Sequence, residues 1–186
     1  MALKPGAHSR RDFLKASAGI AGGIGVLAFP EGLDRVFADV SPGVQRLTDA
    51  YPEIIIGKVS ELTEGELLDF RYPLEEQTNF LVKLGVSAND GIGPAGDIVA
   101  FSYLCSHMGC PLTGLYNKEH KMLGPCPCHY SRFDLAKGGL LILGQATQSL
   151  PQIALEARGD DIYATGVTGL VYGYQNNVEG GVAVHP

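Results

Sequence analysis

Two short stretches concentrate the reactive side chains of this chain: Cys105-Ser106-His107 and, about twenty residues on, Cys126-Pro127-Cys128-His129. Each offers one thiolate and one imidazole, at Cys-x-His and Cys-x-x-His spacing. Zinc fingers usually pair like with like, with two Cys close together and then two His on one helix face. A mixed donor pair in each stretch suits a [2Fe–2S] cluster in which one iron takes two thiolates and the other two imidazoles. Each stretch then reaches both irons. The same residues admit two further readings. One is a Cys₂His₂ zinc site; the other is a pair of ordinary disulfides in an exported protein, with the histidines incidental.

The longer segments around them favour the first reading. Cys105-Ser106-His107-Met108-Gly109-Cys110 and Cys126-Pro127-Cys128-His129-Tyr130-Ser131 resemble the two cluster-binding boxes of Rieske proteins, of the type with a disulfide between its loops. The resemblance implies that Cys105, His107, Cys126 and His129 ligate the cluster and that Cys110 and Cys128 form the bridge. All four cysteines of the chain are then assigned. It also implies two tuning positions. Ser131 stands where a Rieske serine can hydrogen-bond a cluster sulfur. Phe133 stands where high-potential members carry a tyrosine, whose hydroxyl bonds a ligand sulfur; phenylalanine cannot do this.

The elements that must position these loops read as strands. Ile54-Ile55-Ile56 is a short β-branched run. Asn79 to Val86 alternates Phe80, Val82 and Leu84, and Asp97 to Tyr103 runs straight into Cys105. Between those two, Ser87 to Gly96 has the Gly, Asn, Asp and Pro of a loop. After the boxes come Leu140 to Leu143, Gln152 to Glu156 and Asp161 to Thr165, with Arg158-Gly159-Asp160-Asp161 reading as a hairpin turn. Glu61 to Asp69 forms one helical turn or stays irregular. Leu170 to Tyr174 is a further strand or part of a partner interface. No long amphipathic helix appears after the N-terminal segment. The expectation is an all-β antiparallel sandwich or barrel, Rieske-type by resemblance, with a cluster-binding subdomain over about 104–134. Gly109, Pro111, Gly114, Pro125 and Pro127 flank the ligands and fit loops that turn backbone N–H groups towards cluster sulfurs.

The chain has 186 residues and a formal charge of −6. That length suffices for one domain with a real core. No basic stripe with interleaved aromatics is present, so nucleic acid is not an expected partner. Ser9-Arg10-Arg11-Asp12-Phe13-Leu14-Lys15 has the twin-arginine pattern of an export signal. The uncharged run that follows is fifteen residues, short of the ~20 needed to span a bilayer. Residues 1–38 are therefore read as a signal segment, cleaved after Ala38 or kept as an anchor, and residues 39–186 as the Rieske domain. By the resemblance to such signals, the protein crosses folded, with its cluster, into the periplasm. The oxidising periplasm also preserves a disulfide. Without residues 1–38 the chain holds nine basic and seventeen acidic residues, net −8. Such a charge serves solubility or steers a basic partner.

Among Rieske proteins, ring-hydroxylating oxygenases and their ferredoxins normally lack the second cysteine pair and the export signal. Rieske subunits of quinol-oxidising cytochrome bc complexes have the disulfide, a true membrane anchor and a proline-bearing loop. Here that loop reads Gly144-Gln145-Ala146-Thr147. The small subunit of arsenite oxidase is similar in its twin-arginine start. It is also similar in Asn79 to Gly85, in Gly93 to Phe101 and in Tyr130-Ser131-Arg132-Phe133-Asp134. That resemblance implies a molybdopterin-containing large subunit as partner, with a soluble cytochrome c or azurin-like copper protein as electron acceptor. No nucleophile–base pair is apparent in this chain, and every cysteine is committed. Its residues alone point to a one-electron carrier, with catalysis on another chain.

Overall fold

The computed structural model describes residues 51–185. The export segment expected over 1–38 and most of the lead-in over 39–52 lie outside the described residues. Ten strands are present among them: β1 Ile54–Lys58, β2 Leu67–Arg71, β3 Thr78–Lys83, β4 Ile98–Ser102, β5 Tyr116–Asn117, β6 Met122–Leu123, β7 Arg132–Asp134, β8 Leu140–Leu143, β9 Gln152–Arg158 and β10 Asp161–Thr168. The only helices among the described residues are single 3₁₀ turns, Val59–Glu61 and Leu135–Lys137. None is long and apolar enough to cross a membrane. The all-β expectation holds.

The strands form two antiparallel sheets, of order β1-β10-β9-β4-β3-β2 and β5-β6-β7-β8. The larger one curls into a nearly closed barrel. Gly57 on β1 lies so close to β2 that a Cβ there would stand 3.1 Å from a Leu68 methyl carbon. The expected hairpin turn joins β9 to β10, with Arg158 opposite Asp161.

Two apolar cores lie on opposite faces of β3 and β4, and the period of two in a strand explains the division. Phe80, Val82, Val99 and Phe101 face one core, while Leu81, Ile98 and Ala100 face the other. The second core includes Ile56, Tyr72, Ile153, Ile162 and Val184. The first is shared with the small sheet through Leu112, Leu123, Phe133 and Leu135, and it contains Cys105 and Cys126. Burial on both faces is why β4 is apolar at four of its five positions and why β3 keeps a hydrophobic residue between its alternating ones. The loops that carry Cys105 and Cys126 thus rest on the outer face of the large sheet. Lys118 Nζ donates to the Glu64 carbonyl at 2.6 Å, and Lys121 pairs with the Glu64 carboxylate at 3.4 Å, tying the β5–β6 hairpin to the loop before β2.

Three expectations change. The small subdomain does not end at residue 134: β8 is its fourth strand, pairing Leu141 with Phe133. Its two-residue strands β5 and β6 give no periodic signal, so only the pairing reveals their extent. Within Glu61 to Asp69 the helical turn is confined to Glu61, and strand β2 begins at Leu67. Leu-Leu-Asp-Phe-Arg does not alternate; β2 is extended because it pairs with β3 along its whole length. Leu170 to Tyr174 is a turn segment, not a strand.

Candidate metal centre

The two motif segments fold into turns with one hydrogen-bond pattern. In the first, Cys105 N–H donates to the Cys110 carbonyl at 2.9 Å and Gly109 N–H to the Cys105 carbonyl at 2.8 Å. In the second, Cys126 N–H donates to the Ser131 carbonyl at 2.8 Å and Tyr130 N–H to the Cys126 carbonyl at 2.9 Å. Equivalent positions in the two turns, Gly109 and Tyr130, both take left-handed backbone conformations, with φ of 68° and 62°. Strand β4 delivers the first turn directly. The second sits between β6 and β7.

These turns bring the four expected donors together at two depths. Cys105 and Cys126 are free thiols, each 1% exposed. Above them the rings of His107 and His129 meet at the surface, with Nδ1 atoms 3.1 Å apart and planes at 85°. Burial pushes the Cys105 thiol above its ordinary range. The backbone N–H groups of His107 and Met108 point at its sulfur and oppose that shift, while the adjoining Cys126 side chain adds to it. The Cys105 thiol therefore keeps its proton until a metal displaces it. The donors are layered, with thiols inside and imidazoles outside. That suits a group needing two sulfurs on one atom and two nitrogens on another, so the residues present fit a [2Fe–2S] cluster. N–H groups aimed at a ligand sulfur favour added negative charge there and raise the potential of such a cluster.

Cys110 and Cys128 are joined as a disulfide, with Cα atoms 6.5 Å apart. The Cys126 sulfur lies within 4.8 Å of both bridged sulfurs, but these have no thiolate to offer. The reading of two ordinary disulfides fails, because Cys105 and Cys126 stay free.

Both expected tuning residues lie against the turns. Ser131 is wholly buried, and its Oγ accepts a hydrogen bond from Ala146 N–H at 3.2 Å. That leaves its hydroxyl hydrogen available to another acceptor. Phe133 is wholly buried in the core that holds Cys105 and Cys126. His120 is exposed in the turn between β5 and β6, away from the donor set. Met108 is 54% exposed and fills no core.

Sequence reasoning missed the loop after β8. Gly144, with φ of 115°, lies so close to Ser131 that a Cβ would overlap its Cα. Further along, the Gln148 carbonyl accepts from Ser106 Oγ at 2.9 Å. One loop therefore touches both ligand turns. A glycine at the end of an apolar strand was the available signal.

Known proteins resemble this chain. Residues 53–154 match the Rieske [2Fe–2S] domain. The chain is 49% identical over 172 residues to an iodate reductase subunit of Denitromonas iodatirespirans, covering 92% of this chain and 88% of that one. It is 54% identical over 139 residues to an iodate reductase subunit of a Pseudomonas species, strain SCT, covering 73% and 72%. The Rieske iron–sulfur subunit of the cytochrome bc1 complex of Streptomyces lividans matches over 34% of this chain and 41% of its own length, at 45% identity. Among solved structures, the soluble domain of Rieske protein II from Sulfolobus acidocaldarius superposes with a TM-score of 0.59 at 27% identity, covering 68% of this chain and 83% of that one.

Proposed function

This chain belongs to the Rieske [2Fe–2S] domain family, and from that membership we propose that it is the electron-transfer subunit of an iodate-reductase-type oxidoreductase. In this reading Cys105 and Cys126 hold one iron of the cluster and His107 and His129 the other. The observation that carries it is the 49% identity to an iodate reductase subunit across 92% of the chain. The bc1 relative matches only about a third of the chain. The small-subunit character expected from arsenite oxidase is kept, and the substrate of the partner changes from arsenite to iodate. That partner is a molybdopterin-containing large chain, and the second partner a soluble cytochrome or copper protein. The assembly works in the periplasm, reached by the twin-arginine route.

When bound, the cluster takes up and releases one electron at a time. The residues of this chain do the rest. The apolar core around Cys105 and Cys126 keeps water from the thiolates. His107 and His129 present their rings at the surface, which makes this face the place of exchange. Nothing in this arrangement sets a direction of flow. With an iodate-reducing partner, electrons pass from the soluble carrier through this chain to the large subunit. With an arsenite-oxidising partner they pass the other way.

The test is purification of the intact complex from the periplasm with analysis of its metals, followed by substrate addition. Iodate should oxidise the reduced centre of a molybdenum-containing complex. Reduction of the centre by arsenite would instead favour the arsenite oxidase reading, and reduction by quinol in a membrane-bound complex the bc reading. The ligand assignment is tested separately. His107→Ser and His129→Ser should each abolish the Rieske-type electron paramagnetic signal, and retention in either variant would sink it.

A further inference from the structure

We propose that Tyr172 is a positioning residue of the metal centre, clamping the first ligand turn from a C-terminal segment that lies beyond the matched family domain. The domain match ends at residue 154, before this segment begins. The first observation is a close approach. The Tyr172 ring sits against Gly109, where a Cβ would stand 2.6 Å from Cδ1 and 3.3 Å from Cε1. The second is the comparison between the two ligand turns. Tyr130 takes the same left-handed conformation in the second turn and bears a side chain that is 69% exposed. The turn itself therefore accepts a side chain at this position, at a modest strain cost. What excludes one at residue 109 is the ring of Tyr172.

The clamp is itself anchored. Val171, its neighbour, is fully buried. Asn177, 5% exposed, accepts from Val171 N–H at 2.8 Å and donates to the Gly169 carbonyl at 2.8 Å and the Tyr51 hydroxyl at 3.1 Å. Three bonds at one buried amide fix the segment on both sides of Tyr172. The Gly109 N–H closes the turn onto the Cys105 carbonyl. Between those residues lie the His107 and Met108 N–H groups that point at the Cys105 sulfur. A ring pressed on Gly109 thus limits how far those donors can swing. The inference rests on family membership and not on which enzyme the chain serves.

The experiment uses the full, cluster-loaded chain and reads the reduction potential and the rate of cluster loss. Tyr172→Ala should shift the redox equilibrium about threefold towards the oxidised form, roughly 30 mV lower by the 59-mV-per-tenfold relation, and speed cluster loss. Tyr172→Phe should match the wild type, because the ring and not the hydroxyl makes the contact. Asn177→Ser, which frees the segment without touching the turn, should move both quantities in the direction of Tyr172→Ala. Gly109→Ala should lose most of its cluster, and adding Tyr172→Ala should restore part of it. The proposal is overturned if Tyr172→Ala keeps the wild-type potential and loss rate, or if Tyr172→Phe behaves as Tyr172→Ala. It is also overturned if the double variant retains no more cluster than Gly109→Ala. Should neither Gly109 variant fold, the Tyr172 titrations decide alone.

Discussion

At Phe133 we expect one side chain to hold a potential down without touching a substrate. It is wholly buried beside Leu112 and Leu123, in the core shared by Cys105 and Cys126, and it carries no donor. Phe133→Tyr adds a hydroxyl on that buried ring. A hydrogen bond to a ligand sulfur stabilises the extra electron, because reduction adds negative charge. Spread over the cluster, such a bond contributes about 1 kcal/mol, below the roughly 1.5–3 kcal/mol of a hydrogen bond to a localised charge. That corresponds to a rise of roughly 40 mV in a one-electron couple. Equilibrium titration of both proteins at one pH checks it, with a structure of the variant locating the hydroxyl. A hydroxyl on the sulfur and an unchanged potential would defeat the tuning argument.

At the scale of elements, strands and turns are held together by bonds that sequence spacing does not reveal. The Cys110–Cys128 bridge joins the two ligand turns across a separation of 18 residues. Closing a loop of that size restricts the unfolded chain by about 3 kcal/mol in the entropic account. Replacing both cysteines by serine should lower the thermal midpoint and weaken cluster retention, yet leave electron transfer intact. Thiol trapping during turnover tests the structural role, since a bridge that opens and closes with each cycle would contradict it. Tyr103 links β4 to β2 by donating its hydroxyl hydrogen to Asp69 at 2.7 Å. Burial, then the bond to Asp69, raises its pKa well beyond the ordinary tyrosine value of 10.0. Burial does the same for Tyr72. The folded protein therefore holds these protons after the unfolded chain has released them. Stability is full below about pH 10 and falls above it, by roughly 1.4 kcal/mol per pH unit for each such tyrosine. Denaturant titrations from pH 8 to 11 should show this loss, with a shallower slope in Tyr103→Phe. Equal slopes would remove Tyr103 from the explanation.

For the molecule as a whole, charge is unevenly placed. Without residues 1–38 the chain carries net −8, yet the three tip loops, residues 104–114, 124–132 and 143–150, contain no Asp or Glu. Their one basic residue besides histidine is Arg132. Exposed apolar side chains lie in or beside them, at Met108, Tyr130, Leu143 and Tyr172. The acidic residues therefore lie outside these loops and serve solubility more than they aim a basic carrier at the imidazoles. Electron exchange with a basic cytochrome should slow only modestly as salt rises to about 0.15 M, where the Debye length is near 8 Å. Stopped-flow rates that collapse over that range would show that the carboxylates outside these loops do steer.

The sequence by itself determined the chemistry. Two thiols and two imidazoles at fixed short spacing define a donor set, because a turn of five or six residues can be closed by its own backbone. It also determined β3, β4, β9 and β10, whose apolar content reflects burial. Tertiary structure decided what depends on distant partners. β2 is a strand because β3 lies beside it, and β8 joins the small sheet because Leu141 meets Phe133. Gly144 must be glycine because Ser131 occupies the space of its Cβ, and Gly109 because Tyr172 does. Those two contacts join residues 13 and 63 positions apart. No local pattern encodes them, since the steric exclusion exists only once the chain has brought both surfaces together.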